Sequence, residues 1–168
     1  MARNTQDSLR EQSRQMDCLY NETDRLYNGF ARSCGLSECA YWVMYEIEVS
    51  SGSASLRGMA EAFSLSKQTL SSAVKSLEAK GLIELSFEEG SRKNKVASFT
   101  EAGRAFARRH LDPAMQAEAR AFASLGPEKA ARLMSLANEY ARAVHAEVEA
   151  MGCASPTDGA VFQGEAGA

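Results

Sequence analysis

Lys67, Gln68, Ser71, Ser72 and Lys75 lie three and four residues apart, the spacing that gathers side chains on one face of a helix. Their groups are amines, an amide and hydroxyls, all short or flexible hydrogen-bonding tips with no bulky hydrophobe among them. A helix carrying such a ridge fits the major groove of a duplex, where Gln can pair with adenine and Lys with the guanine edge. Ser66 and Thr69 stand at the start of the same stretch, where a capping hydroxyl and free backbone N–H groups can hold a phosphate. Downstream, Arg92, Lys93 and Lys95 crowd three positive charges into four positions, suited to flanking backbone or the adjacent minor groove. The plainer alternative is that both features are solvated surface. What separates the two is the order of the elements that carry them.

Other chemistries find little footing. His110 lies in a basic R-R-H stretch and His145 near Glu147, neither with an evident nucleophile beside it, so no enzyme is expected. Cys18, Cys34, Cys39 and Cys153 form no C-x-x-C pair, so neither a metal site nor a disulfide framework is expected, and no cofactor. The 168 residues carry a net charge of −3, yet binding phosphate needs only a local basic patch. From Ser66 to Phe99, Lys67, Lys75, Lys80, Arg92, Lys93 and Lys95 outnumber Glu78, Glu84, Glu88 and Glu89. Glu88 and Glu89 sit awkwardly near the basic cluster. No apolar run is long enough to span a membrane, and the N-terminal MARNTQDSLREQSRQ lacks a secretory apolar centre, so the cytoplasm is the expected location.

The positioning elements are read from periodicity and punctuation. A stripe of Met16, Leu19, Tyr20, Thr23, Leu26, Tyr27, Phe30 and Cys34 predicts a long first helix stopped by Gly35. Ser37 caps a second, mostly buried helix to Glu48, and Ser50–Ser53 reads as a loop. Ser55 caps a short third helix to Phe63. Ser66 caps a fourth, whose Leu70, Ala73, Val74 and Leu77 face inward, and Gly81 closes it. Two strands, Leu82–Phe87 and Lys95–Phe99, make a hairpin around the basic tip. Thr100 opens a further helix that Pro113 kinks or splits, and Pro127 begins the last. The expected organisation is an N-terminal dimerisation helix at 1–35, a DNA-binding winged helix-turn-helix at 36–100, C-terminal dimerisation helices at 101–151 and a disordered tail at 152–168. The fold class is mainly α with a small β-hairpin wing.

The segment LRGMAEAFSLSKQTLSSAVKSLEAKGLI, followed by SRKNKVASFTEAGR, resembles the core of the MarR (multiple antibiotic resistance regulator) family. The resemblance runs from about Leu36 to Arg104. It departs from the family pattern at Ser91, where an aspartate usually precedes the arginine, and at Phe99-Thr100, usually Leu-Thr. It implies a homodimer binding a palindromic site in double-stranded DNA, more often to repress than to activate. Apolar stripes on the first and last helices, including Leu19, Leu26, Leu133, Leu136, Tyr140 and Val144, exceed what one winged domain can bury and suit a two-fold partner, or else an intramolecular bundle. The resemblance further implies release by a small aromatic or phenolic effector, for which Tyr27, Phe30, Tyr41, Trp42 and Tyr45 offer apolar walls with polar tips, or by oxidation of Cys18, Cys34 or Cys39. A winged helix used only to bind protein remains the other reading; it wants an apolar or acidic face on the fourth helix.

Overall fold

Local chemistry sets most of the boundaries. The computed structural model describes residues 2–63 and 65–152, so the segment expected to be a disordered tail lies, from 153 on, outside the described residues. Six helices and three strands follow one another: α1 Ala2–Ser33, α2 Glu38–Val49, β1 Ser53–Ser55, α3 Leu56–Ala62, α4 Lys67–Ala79, β2 Ile83–Phe87, β3 Lys95–Phe99, α5 Glu101–Leu125 and α6 Pro127–Ala150. Ser37, Ser55, Ser66 and Thr100 each accept the N–H of the residue three positions on, fixing the starts of α2, α3, α4 and α5. Such caps contribute about 1 kcal/mol apiece. Gly35 ends α1 at φ +72°, a conformation that lets Leu36 N–H reach the Ala31 carbonyl at 2.9 Å.

The core is built around α2, which buries Ala40, Tyr41, Val43, Met44 and Ile47. Leu70, Ala73, Val74 and Leu77 of α4 join the same core, as do Ile83, Ala97 and Phe99 of the sheet. The wing is thereby rooted in the body that holds α4. The start of α5 is pressed against the same wall: a Cβ on Gly103 would come 1.8 Å from the Leu82 carbonyl oxygen. Thr100 reinforces that junction, donating its hydroxyl to the Gly81 carbonyl at 2.6 Å while accepting from Gly103 N–H.

Two expectations need correction. The stretch read as a loop at Ser50–Ser53 runs into β1, which pairs antiparallel with β3 (Ser53↔Ser98, Ala54↔Ala97, Ser55↔Val96), so the wing hairpin belongs to a three-stranded sheet in the order β1-β3-β2. Three residues with two serines carry no readable period; the ladder with β3 makes the strand. Pro113 does not split α5. Arg109 and Pro113 are both exposed, so water can satisfy the carbonyl that proline leaves without a donor. The first helix, α1, fills almost all of the segment expected at 1–35. Its stretch from Gln6 to Leu26 is exposed except for the half-buried Met16, an arm the chain itself leaves uncovered. The last helix, α6, buries none of its residues. Among the described residues, no helix is long and apolar enough to cross a membrane.

Candidate nucleic-acid interface

With Leu70, Ala73, Val74 and Leu77 turned inward, α4 leaves Ser66, Lys67, Gln68, Thr69, Ser71, Ser72 and Lys75 exposed. They fall on two flanks. Lys67, Ser71 and Lys75 line a groove of about 850 Å³ that α4 shares with Leu56 and Arg57 of α3 and with Leu85, Lys93, Asn94 and Lys95 of the wing. Gln68, Thr69 and Ser72 line a second, shallower concavity against Ser37, Glu38 and Cys39 at the start of α2. The helix start itself is occupied: Ser66 Oγ accepts Thr69 N–H at 3.1 Å and lies 2.7 Å from Thr69 Oγ1. Ser66 and Thr69 therefore hold each other and shape the helix terminus, leaving the other free N–H groups of the first turn to meet an anion.

The wing tip is ordered by its own side chains. Ser91 Oγ accepts from Lys93 N–H (3.2 Å) and Asn94 N–H (2.9 Å). Serine thus does locally what an acceptor preceding Arg92 must do, and does it without a charge. Glu88 is tied across the hairpin to Asn94, whose Nδ2 donates to Oε2 at 2.9 Å. Among the described residues, the ion pairs are Glu11–Arg14 and Arg57–Glu61, with His145–Glu149 a third when the histidine is protonated. None engages Lys67, Lys75, Arg92, Lys93 or Lys95. Four of them, Lys67, Lys75, Lys93 and Lys95, line that groove together with Arg57, and they outnumber its two carboxylates, Glu61 and Glu78; a concave surface with a surplus of positive charge is the arrangement that attracts a polyanion. No group of three metal-ligating side chains occurs among the described residues.

The aromatic residues expected to wall an effector site do come together, at the junction of α1, α2 and α5. Tyr41 is fully buried, with Phe30 edge-on at 5.6 Å and Trp42 at 5.2 Å between ring centroids, while Tyr27 lies 5.0 Å and Tyr45 5.5 Å from Trp42. Phe63 stacks on Trp42 at 5.5 Å. The Tyr27 hydroxyl donates to Glu118 Oε1 of α5, and the buried Tyr41 hydroxyl has no partner among the described residues. Burial, then Glu118, pushes the Tyr41 phenol up to about 12 and raises that of Tyr45; for Tyr27 burial and the hydrogen bond to Glu118 act in the same direction. Of the cysteines, Cys18 is exposed, Cys34 is half-buried, and Cys39 sits with its Sγ 3.9 Å from the Thr69 carbonyl oxygen. Burial, then Glu38, raises the Cys39 thiol.

Arg57, Asn94 and Glu118 are the residues that sequence reasoning missed. Arg57 follows the Ser55 cap, and its basic charge on a helix preceding α4 was the available signal. Glu118 had none, being 91 positions from Tyr27.

Comparison with known proteins follows the same lines. The MarR-family model matches residues 35–93. The structure of NMB1585, a MarR-family regulator from Neisseria meningitidis, superposes with a TM-score of 0.70 at 26% identity, covering 82% of this chain and 96% of that one. BpsR of Bordetella bronchiseptica, whose DNA binding is regulated by 6-hydroxynicotinic acid, shares the fold at TM-score 0.60 and 18% identity, over 77% of this chain and 91% of that one. Reduced AbfR bound to DNA shares it at 0.52 and 17%, over 64% and 79%. Among curated proteins, none matches the chain.

Proposed function

We propose that this chain, whose residues 35–93 match the MarR-family model and whose fold is that of a MarR-family regulator, is a sequence-specific double-stranded DNA-binding transcriptional regulator, a homodimeric repressor of a palindromic operator. The observation that carries the reading is the shared groove. One wall is the exposed amine-and-hydroxyl flank of α4, the other is a wing whose tip is ordered by its own hydrogen bonds and whose lysines join no ion pair among the described residues. Seated in a major groove, Lys67, Gln68, Ser71, Ser72 and Lys75 meet base edges and phosphates, with Ser66 and Thr69 shaping the helix start. Arg92, Lys93 and Lys95 meet the flanking backbone or minor groove. An exposed α4 face without a bulky hydrophobe speaks against a purely protein-binding module.

The homodimer is supported by what the protomer leaves uncovered: Leu19 and Leu26 on α1, and Leu133, Leu136 and Val144 on α6. A small-molecule effector is supported by the aromatic cluster, and by a relative of the same fold whose DNA binding responds to a small aromatic acid. The role is regulatory, not enzymatic. A thiol-sensing variant finds less support, because burial disfavours the Cys39 thiolate.

The experiment is a fluorescence-anisotropy series on duplexes selected from genomic fragments, at several salt concentrations. Arg92→Ala is expected to weaken binding to all sequences alike and to lower the salt slope by about 1. Gln68→Ala is expected to change which base is preferred, a discrimination of roughly 1–3 kcal/mol. If both variants bind and discriminate like the wild type, the interface is misassigned.

A further inference from the structure

Glu118 is a carboxylate at the edge of the aromatic cluster, joined to it through Tyr27. It accepts the Tyr27 hydroxyl, and it acts electrostatically on Tyr27, Tyr41 and Tyr45 together. Among the described residues, no ion pair includes it. Its helical neighbours at three and four positions, Ala114, Met115, Ala121 and Phe122, are uncharged. Tyr27, Trp42, Tyr45 and Glu118 are each partly exposed, so solvent reaches the cluster, while the buried Tyr41 hydroxyl has no partner among the described residues.

Aromatic faces present negative charge, and a cation within about 6 Å of a ring centroid is attracted by up to roughly 2 kcal/mol when desolvated. A carboxylate beside such rings adds a full negative charge, which repels an anionic ligand and holds a positive one. We infer that Tyr27, Tyr41, Trp42, Tyr45 and Glu118 form a recognition site for a compact organic cation, an aryl or alkyl ammonium group. This rests on the reading of the protein as an effector-responsive regulator, and it gives this chain's effector the charge opposite to that of the acid that regulates BpsR. The site is placed to be felt at the DNA: Tyr41 and Trp42 lie on α2, which packs on α4, and a cation on Glu118 competes with the Tyr27 hydroxyl that links α1 to α5.

Trp42 is the chain's one tryptophan, so its fluorescence reports on this cluster alone. The full-length protein is titrated with benzyltrimethylammonium chloride and, at matched ionic strength, with sodium benzoate. The expected result is a saturable change with the cation and none with benzoate, and a loss of cation affinity of about tenfold in Glu118→Gln. An equal or stronger response to benzoate overturns the inference, as does the absence of any response to the cation. So does a Glu118→Gln protein with wild-type circular dichroism that titrates like the wild type. Should that variant misfold, the wild-type comparison of cation with anion decides alone. A protein that binds DNA but ignores the cation loses only this site; one that binds the cation but no duplex keeps the site and loses the regulator reading.

Discussion

At the scale of single residues, Tyr41 sets stability against use. Its hydroxyl is buried without a partner among the described residues, and an unmet buried hydroxyl costs about 1–3 kcal/mol. Tyr41→Phe is therefore expected to keep or raise stability, by roughly 1 kcal/mol in urea melts, while weakening the cation response of Trp42. A marked loss of stability would show that the hydroxyl is bonded after all. The same phenol makes the fold sensitive to alkali. Its folded-state ionisation is pushed up from 10.0 to about 12, so the folded chain holds the proton more tightly than the unfolded one. The corresponding stability is fully present below pH 10 and lost as pH rises through 12, with Tyr27 and Tyr45 acting in the same direction. Chemical denaturation between pH 8 and 11.5 should show a shallower alkaline decline in Tyr41→Phe. Among the thiols, exposed Cys18 should alkylate faster with iodoacetamide than Cys39, whose thiolate burial disfavours. Peptide mapping by mass spectrometry reads the order directly, and a faster Cys39 would restore the thiol-sensing alternative.

At the scale of elements, the wing is held by its junction with α5 as much as by its own ladder. The first turn of α5 lies so close to the strand entrance that Gly103 has no room for a methyl group against the Leu82 carbonyl. Backbone cannot yield as a flexible side chain does. Gly103→Ala is therefore expected to destabilise the protein by about 3 kcal/mol or more, well beyond the gain that alanine brings to an ordinary helix interior. Thermal melts decide it, and a neutral or stabilising result would mean that α5 can shift away from Leu82. Thr100 binds that same turn from the other side, so the T-E-A-G sequence closing the wing is a packing joint with a reason for each of its ends.

At the scale of the whole molecule, apolar side chains gather on helices that the protomer leaves uncovered. Leu26 is 69% exposed, and Leu133, Met134 and Leu136 of α6 are nearly half exposed. Helices α1 and α6 lie at opposite ends of the chain yet share this property, which a two-fold partner would resolve by covering both. Replacing Leu26 and Leu133 together by Glu is expected to give a monomer in analytical ultracentrifugation at micromolar concentration. Duplex binding should weaken by on the order of a hundredfold, since a lone winged domain reads a single half-site. A wild-type chain that sediments as a monomer while binding an operator tightly would remove the dimer.

The sequence by itself determined the local grammar: the serine and threonine caps, the glycine stops, the inward stripe of α4 and the alternation of β3 are short-range signals, and the elements they announce stand where they point. It also determined which side chains of α4 and the wing are exposed, because one face of each is apolar and must be buried. Only the tertiary structure decided the rest. The strand β1 exists because β3 offers its edge, α5 survives Pro113 because the affected turn faces water, and Glu118 reaches Tyr27 across 91 residues because α1 and α5 flank the same helix. The division of α4 into a flank toward the wing and a flank toward α2 is likewise a matter of neighbours. Periodicity can say that a face is exposed; what stands opposite it depends on contacts between segments far apart in the chain, and these leave no mark at the spacing of three, four or two.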